Sequence, residues 1–186
     1  MNPILEEILS TRNAQAKEGG IPPLEGEFLQ RIIKRIKPKI SLEIGLAYGI
    51  SALFICEALE KVKGEKHIII DPCQNIPEAG YNGSGLRNLR KAKYDKLIEF
   101  IETPSEIALP ELLKKGTRVD FAFVDGWHTF DHALVDFFYI NRMLNVGGLV
   151  AFDDANWPSV QKLCRYVLRF PCYRICLLYT SPSPRD

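Results

Sequence analysis

Six acidic side chains stand at the carboxyl ends of short apolar runs. They are Glu43, Asp71, Glu102, Asp125 and the adjacent pair Asp153 and Asp154. Carboxylates accept hydrogen bonds from ribose hydroxyls, hold hard divalent cations through oxygen and exchange protons. His128, three residues after Asp125, adds a group that takes a hydroxyl proton near neutrality, because an unperturbed imidazole titrates at about pH 6.5. Ahead of these residues in the chain lies a turn with two glycines, Gly45 and Gly49, between an apolar run at 40–44 and an apolar segment opening at Ile50 and Ser51. Glycine there permits positive φ and lets a ligand come close to the backbone. The N-terminus of the next helix offers unpaired N–H groups to an anion such as a carboxylate. Gly45 and Gly49 form G-x-x-x-G, not the G-x-G-x-x-G of a dinucleotide fold. On its own the turn serves packing as readily as binding, and Asp71 serves a loop start before Pro72 as readily as a ribose.

These residues need a scaffold that brings strand ends together. Ile4, Leu5, Ile8 and Leu9 predict a helix within 3–17, followed by a Gly/Pro break. Phe28, Leu29, Ile32, Ile33 and Ile36 predict a second helix over 25–36, ended by Pro38. From residue 40 strands and helices alternate: strands at 40–44, 67–71, 97–102, 119–124 and 149–152, with helices between them. A basic helix is predicted at 86–94 and another helix at 131–144. Thr103, Pro104, Ser105 and Glu106 read as a capping box with proline at the first helical position, and Asn156 as the cap of a last helix. Apolar strands separated by helices predict an α/β fold with a doubly wound, mostly parallel, Rossmann-like sheet covered on both faces. In such folds ligands bind beyond the carboxyl ends of the strands, where the acids lie.

The composition narrows the function classes. A chain of 186 residues with 46% hydrophobic and 25% charged residues fits one globular domain. A formal net charge of +1 gives no nucleic-acid footprint, and Arg31, Lys34, Arg35, Lys37 and Lys39 read as the wet face of a helix. No apolar run reaches the ~18 residues of a membrane span, and the start lacks a secretory pattern, so a soluble cytoplasmic protein is expected. Cys56, Cys73, Cys164, Cys172 and Cys176 form no C-x-x-C pair and read as free, mostly buried thiols. A homo-oligomer is compatible with all of this.

Leu42 to Ile44, Gly45, Gly49 and Ser51 together resemble the first motif of class I S-adenosylmethionine-dependent methyltransferases. Phe123 to His128 and Gly147 to Asp154 resemble that family's fourth- and fifth-strand motifs. The resemblance covers about residues 25–170 and lies nearest to bacterial tailoring O-methyltransferases of the macrolide and cephalosporin type, with catechol O-methyltransferase more distant. It implies an S-adenosylmethionine cofactor whose methionine end is held by Glu43, Gly45, Gly49 and Ser51. Asp71 would bind its ribose, Ser105 and Glu106 its adenine, and Asp125 would contribute to the same site. Asp125 and Asp154 match the aspartates that hold Mg²⁺ in catechol-type enzymes. Ala155 stands where those carry an asparagine, so Asp153 or Asn156 would substitute in any metal site. His128 matches the general base. The implied acceptor is a small-molecule hydroxyl, for instance of a sugar or polyketide.

The resemblance divides the chain into a helix and linker over 1–22 and a methyltransferase domain over 23–175. The string CLLYTSPSPRD at 176–186 resembles a translated sequencing-adapter tail. The family's closing antiparallel strands would then be truncated, with at most one strand, at 173–178. Two other functions remain compatible with the residues: a nicotinamide-dependent oxidoreductase on a related fold, and a binding protein that retained the fold without catalysis.

Overall fold

A computed structural model describes residues 2–10 and 20–176. After helix α1 (Pro3–Ser10) and helix α2 (Pro23–Ile36), strands and helices alternate: β1 (Ile40–Ile44), α3 (Ile50–Lys61), β2 (Lys66–Ile70), α4 (Ser84–Lys91), β3 (Ile98–Ile101), α5 (Ser105–Lys114), β4 (Val119–Val124), α6 (Phe130–Met143), β5 (Leu144–Phe152) and α7 (Pro158–Val167). The five strands form one sheet in the order β3-β2-β1-β4-β5, and every pairing is parallel. The order reverses between β1 and β4, so the carboxyl ends of these two strands define the switch point of the doubly wound sheet.

Side-chain alternation along the strands builds two cores. Ile69, Phe121 and Phe123 face α2, α3 and α4 on one side of the sheet. Leu42, Ile44, Ile68, Ile70, Ala122 and Val124 face α5 and α6 on the other. Helix α3 is buried from Ile50 to Leu59, which explains its nearly continuous apolar sequence. Each large core side chain such as Phe54 or Leu53 contributes roughly 1.5–3 kcal/mol by burial. Gly26 sets how closely α2 lies on α3: a Cβ there would stand 2.2 Å from the Phe54 ring. That close contact carries the first turn of α2 up to the strand ends.

Several expectations change. No capping box forms at the start of α5: Pro104, with φ −54° and ψ 145°, is itself the N-cap, and no side chain caps the helix. Thr103 therefore lies outside the helix, and Ser105 becomes its first, buried residue. Trp157 rather than Asn156 is the N-cap of α7. The basic helix runs over Ser84–Lys91, starting after Gly83 at φ 68°. Strand β5 is nine residues long rather than four, and all nine are partly or fully exposed, as an edge strand with one neighbour must be. All five cysteines are free, but only Cys56 is buried. The basic residues Arg31, Lys34, Arg35, Lys37 and Lys39 are exposed, as expected. Residues 173–176 form no strand; 177 and 178, like the rest of the tail and the 11–17 part of the first helix, lie outside the described residues. No helix among the described residues is long and apolar enough to cross a membrane.

Candidate active site

The turn after β1 is built by backbone conformations that side chains resist. Gly45 has φ 92° and Gly49, the N-cap of α3, has φ 78°. A Cβ on Gly45 would lie 2.1 Å from the Asp125 carbonyl oxygen, and one on Gly49 3.1 Å from Gly85. The glycines therefore first let chain pack on chain, which locks the turn between the end of β4 and the start of α4. Ser51 is buried in the first turn of α3.

Asp71 completes the turn from β2. Its Oδ2 accepts the Leu46 N–H at 2.8 Å and the Ala47 N–H at 3.0 Å, while its Oδ1 accepts the Cys73 N–H at 2.6 Å. Gln74 Nε2 donates to the same carboxylate at 3.3 Å and to the Ala47 carbonyl at 2.8 Å. Asp71 is 4% exposed and turned toward the protein backbone. Above it the Tyr81 ring stands edge-on to Tyr48, with centroids 5.3 Å apart, and fastens the loop after β2 to the turn.

Glu43 lies under the turn. Its Oε2 is 2.8 Å from His67 Nε2, and His67 Nδ1 is 2.8 Å from the Ser41 hydroxyl; all three residues are fully buried. Glu43 Oε1 is buried without a hydrogen-bond partner. A buried carboxylate oxygen in that state is costly unless something pairs with it.

At the ends of β4 and β5 the acids converge. Asp153 is in hydrogen-bonding contact with both Asp125 and Glu25, the latter from the first turn of α2. Burial, Asp153 and Glu43 hold the Asp125 carboxyl well above the usual carboxylate range. Burial and Asp153 push Glu25 up to about 9. Asp154 points elsewhere: its backbone adopts φ 49°, and its Oδ2 lies 3.4 Å from His128 Nδ1. The structure thus pairs Asp125 with Asp153, and Asp154 with His128. Among the described residues no group of three or more His, Cys, Asp or Glu side chains is placed to hold a metal ion. Asp125 and Asp153 still supply two hard oxygen donors, which suits Mg²⁺, an ion that commonly uses one or two carboxylates and keeps its waters.

His128 follows Gly126 and Trp127 in the loop between β4 and α6, held by a hydrogen bond from the Ser159 hydroxyl to its carbonyl at 2.5 Å. Its ring lies 5.4 Å from Trp157. Trp127 is 65% exposed and stacks on His132, whose Nδ1 meets the Thr129 hydroxyl at 2.7 Å. A small hollow behind these rings is lined by Val124, Gly126, Trp127, His128, Phe152 and Asp153. Ser105 and the exposed Glu106 open α5 near Asp136 of α6.

The sequence placed Glu43, Gly45, Gly49, Asp71, Asp125, Asp153, Asp154 and His128 at one end of the sheet, and the structure brings them there. Glu25 and Asp136 were missed. Both sit inside helices with amphipathic patterns, where an acid reads as part of a solvated face; only the tertiary packing turns them inward.

The chain is similar to methyltransferases throughout. The family described as "Methyltransferase domain" matches residues 42–155. Tapetum-specific methyltransferase 1 of Arabidopsis thaliana is 33% identical over 177 residues, covering 94% of this chain and 72% of that protein. A caffeoyl-CoA O-methyltransferase of Stellaria longipes is 32% identical over 151 residues, covering 77% of this chain; the chain spans 57% of that enzyme's length. The structure of a Podospora anserina methyltransferase bound to S-adenosylhomocysteine has the same fold, with TM-score 0.75 at 19% identity over 92% of this chain and 81% of that one. The chain belongs to the class I S-adenosylmethionine-dependent methyltransferases.

Proposed function

We propose that the chain transfers a methyl group from S-adenosylmethionine to a phenolic hydroxyl of a small molecule, with His128 as general base. The observation that carries this is the His128–Asp154 pair at 3.4 Å. It lies beside the Asp125–Asp153 acids, and Trp127 and Trp157 flank it. A carboxylate on Nδ1 fixes the imidazole's orientation and tautomer, leaving Nε2 as the basic atom.

The cofactor fits the residues present. Glu43 Oε1, a buried acceptor lacking a partner, suits the methionine ammonium, and the α3 N-terminus behind Gly49 suits its carboxylate. Ser51 stands in that same first turn. Ser105 and Glu106 would meet the adenine. Asp71, bound to the turn, supports the ribose side by holding Leu46 and Ala47 in place, and a direct ribose contact would require some of its present hydrogen bonds to be exchanged. When bound, S-adenosylmethionine supplies an electrophilic methyl group, so the protein's work is to position the acceptor and remove its proton.

Asp125 and Asp153 would hold Mg²⁺, which would lower the acceptor hydroxyl's pKa if the reaction uses it. A phenol titrates near the tyrosine value of about 10, within reach of a histidine base, whereas water-like hydroxyls lie at about 15.7. The caffeoyl-CoA relative, whose named acceptor carries phenolic hydroxyls, favours the same class over a sugar or polyketide. The two Trp rings give a planar acceptor apolar surface.

The test is turnover of a catechol-type acceptor by wild type, His128→Ala and Asp154→Asn, with S-adenosylhomocysteine binding measured in parallel. The expected result is a loss of about 10²–10⁴-fold in kcat for His128→Ala, a smaller loss for Asp154→Asn, and unchanged cofactor affinity in both. Unchanged turnover in His128→Ala would overturn the base assignment.

A further inference from the structure

The acids gather at the carboxyl ends of the strands; at the opposite end of the same sheet the charge reverses. A hollow of about 490 Å³ lies there, bounded by the first residues of β1 and β2, by β3 and by the end of α5. That volume falls within the range of small-molecule sites, roughly 300–1,000 Å³. Its floor is apolar. Strand alternation turns Ile68 of β2 toward α5, where it shares a core with Leu112, and both are nearly fully buried. Ile40, at the start of β1, is half-buried beside them.

The rim carries Lys66, Lys115 and Arg118, all exposed, against one carboxylate, Glu99. Glu99 stands opposite Ile68 in the β2–β3 register, and its Oε2 is 2.7 Å from Lys66 Nζ. Glu65, beside Lys66 in the chain, instead pairs with Lys39 at 3.1 Å. Asp120, two residues after Arg118, accepts the Lys39 and Ile40 N–H groups at 2.8 and 3.1 Å. Positive charge is thus in excess over an apolar floor.

A lysine at a helix C-terminus is common because it complements the helix dipole, and that accounts for Lys115 alone. Lys66 comes from the start of β2 and Arg118 from the segment entering β4, so three separate elements direct cations to one hollow. Gly116, at φ 75°, turns the chain off α5, and a Cβ there would meet nothing within 4 Å, which leaves that side open. A cleft lined by one sign of charge concentrates ions of the other sign. An apolar floor adds affinity only for a ligand with a hydrocarbon part.

We propose that this hollow binds a small amphipathic anion. Its aromatic or alkyl body covers Ile40 and the floor, and its carboxylate, sulfonate or phosphate group meets Lys115 and Arg118. The site is separate from the one for methyl transfer: β1 leads from Ile40 at the hollow to Ile44 below the glycine turn, roughly 13 Å away, so both can be filled at once.

The experiment titrates the whole chain with 8-anilinonaphthalene-1-sulfonate, read by fluorescence, with S-adenosylhomocysteine present throughout to compete at the other site. It compares wild type, Lys115→Glu, Lys115→Glu/Arg118→Glu and Lys34→Glu/Arg35→Glu, the last making the same charge change on the exposed face of α2; melting curves confirm each fold. Wild type should bind the dye saturably, and less tightly as salt rises. Lys115→Glu should weaken it about tenfold or more, the scale of one contact to a charged group. The Lys115→Glu/Arg118→Glu variant should lose more, and Lys34→Glu/Arg35→Glu nothing. The uncharged N-phenyl-1-naphthylamine should bind about tenfold more weakly than the sulfonate, on the same scale. Wild-type affinity in Lys115→Glu, equal losses in the two double variants, or no saturable binding by wild type overturns the proposal. Equal binding of the uncharged amine also overturns it, since the cations would then recognise nothing.

Discussion

Oδ2 of Asp71 accepts the Leu46 N–H at 2.8 Å, so the acid at the end of β2 is a structural part of the turn that follows β1. The turn's irregular backbone, with Ala47 at φ 45°, leaves N–H groups that no strand or helix satisfies, and Asp71 takes them. Asp71→Ala would strand the Leu46, Ala47 and Cys73 N–H groups together. We expect a loss of about 3 kcal/mol or more, which in a chain of this size lowers Tm by about 10 °C. Cofactor affinity should fall with it, because the turn loses its shape. Asp71→Asn keeps one acceptor and should fall between. Thermal melts and S-adenosylhomocysteine titrations of both variants check this; full stability in Asp71→Ala would show that the turn holds itself.

The contrast between Asp71 and Glu25 shows what the sequence could reveal. Strand ends, glycine turn and helix periodicity are local patterns, so the sheet, its parallel sense and the edge where the acids gather were legible. Partner choice is not local. Asp71 sat where a ribose acid was expected, yet its oxygens face the backbone. Glu25 reached Asp153 only because Gly26 lets α2 settle onto Phe54. The capping box failed for a local reason that was available: Pro104 with extended ψ cannot be the first helical residue and the flank at once. Asp153 and Asp154 are adjacent in sequence, and only the φ of 49° at Asp154 decides which of them turns to Asp125.

His67 should prove structural rather than catalytic. It joins Ser41 and Glu43 in a fully buried chain, with both of its hydrogen-bond distances at 2.8 Å. Replacing it with phenylalanine leaves the Glu43 carboxylate unpaired inside the sheet and should cost about 3–5 kcal/mol. A double-mutant cycle with Glu43→Gln should give strongly non-additive losses in urea unfolding. Additive losses would mean that the two side chains do not share one interaction.

Asp136 should cost stability. Its folded pKa of about 6 lies above the usual carboxylate value. Between the two values the folded chain holds a proton that the unfolded chain has released, so stability falls as pH rises across that window and stays low above it. Asp136→Asn removes the penalty and should therefore raise Tm at pH 8 by more than at pH 5. Melting curves at the two pH values check the sign; a lower Tm for the variant at pH 8 would mean that the carboxylate stabilises the fold.

Magnesium should act through Asp125 and Asp153. An ion that binds only the folded chain raises Tm by mass action, and it competes with the proton that burial and Asp153 keep on Asp125. The Tm increase with added Mg²⁺ should therefore grow as the pH rises and vanish in Asp153→Asn. An equal response in that variant would place the ion elsewhere.

The central claim is that the edge formed by Gly45, Asp71, Ser105 and Asp125 binds S-adenosylmethionine for methyl transfer. Its most direct measurement is calorimetric titration of the chain with S-adenosylhomocysteine, with NAD as the comparison ligand. The account predicts saturable one-to-one binding of S-adenosylhomocysteine, weakened by Ser105→Ala, and no heat with NAD. Binding of NAD in place of S-adenosylhomocysteine would contradict it.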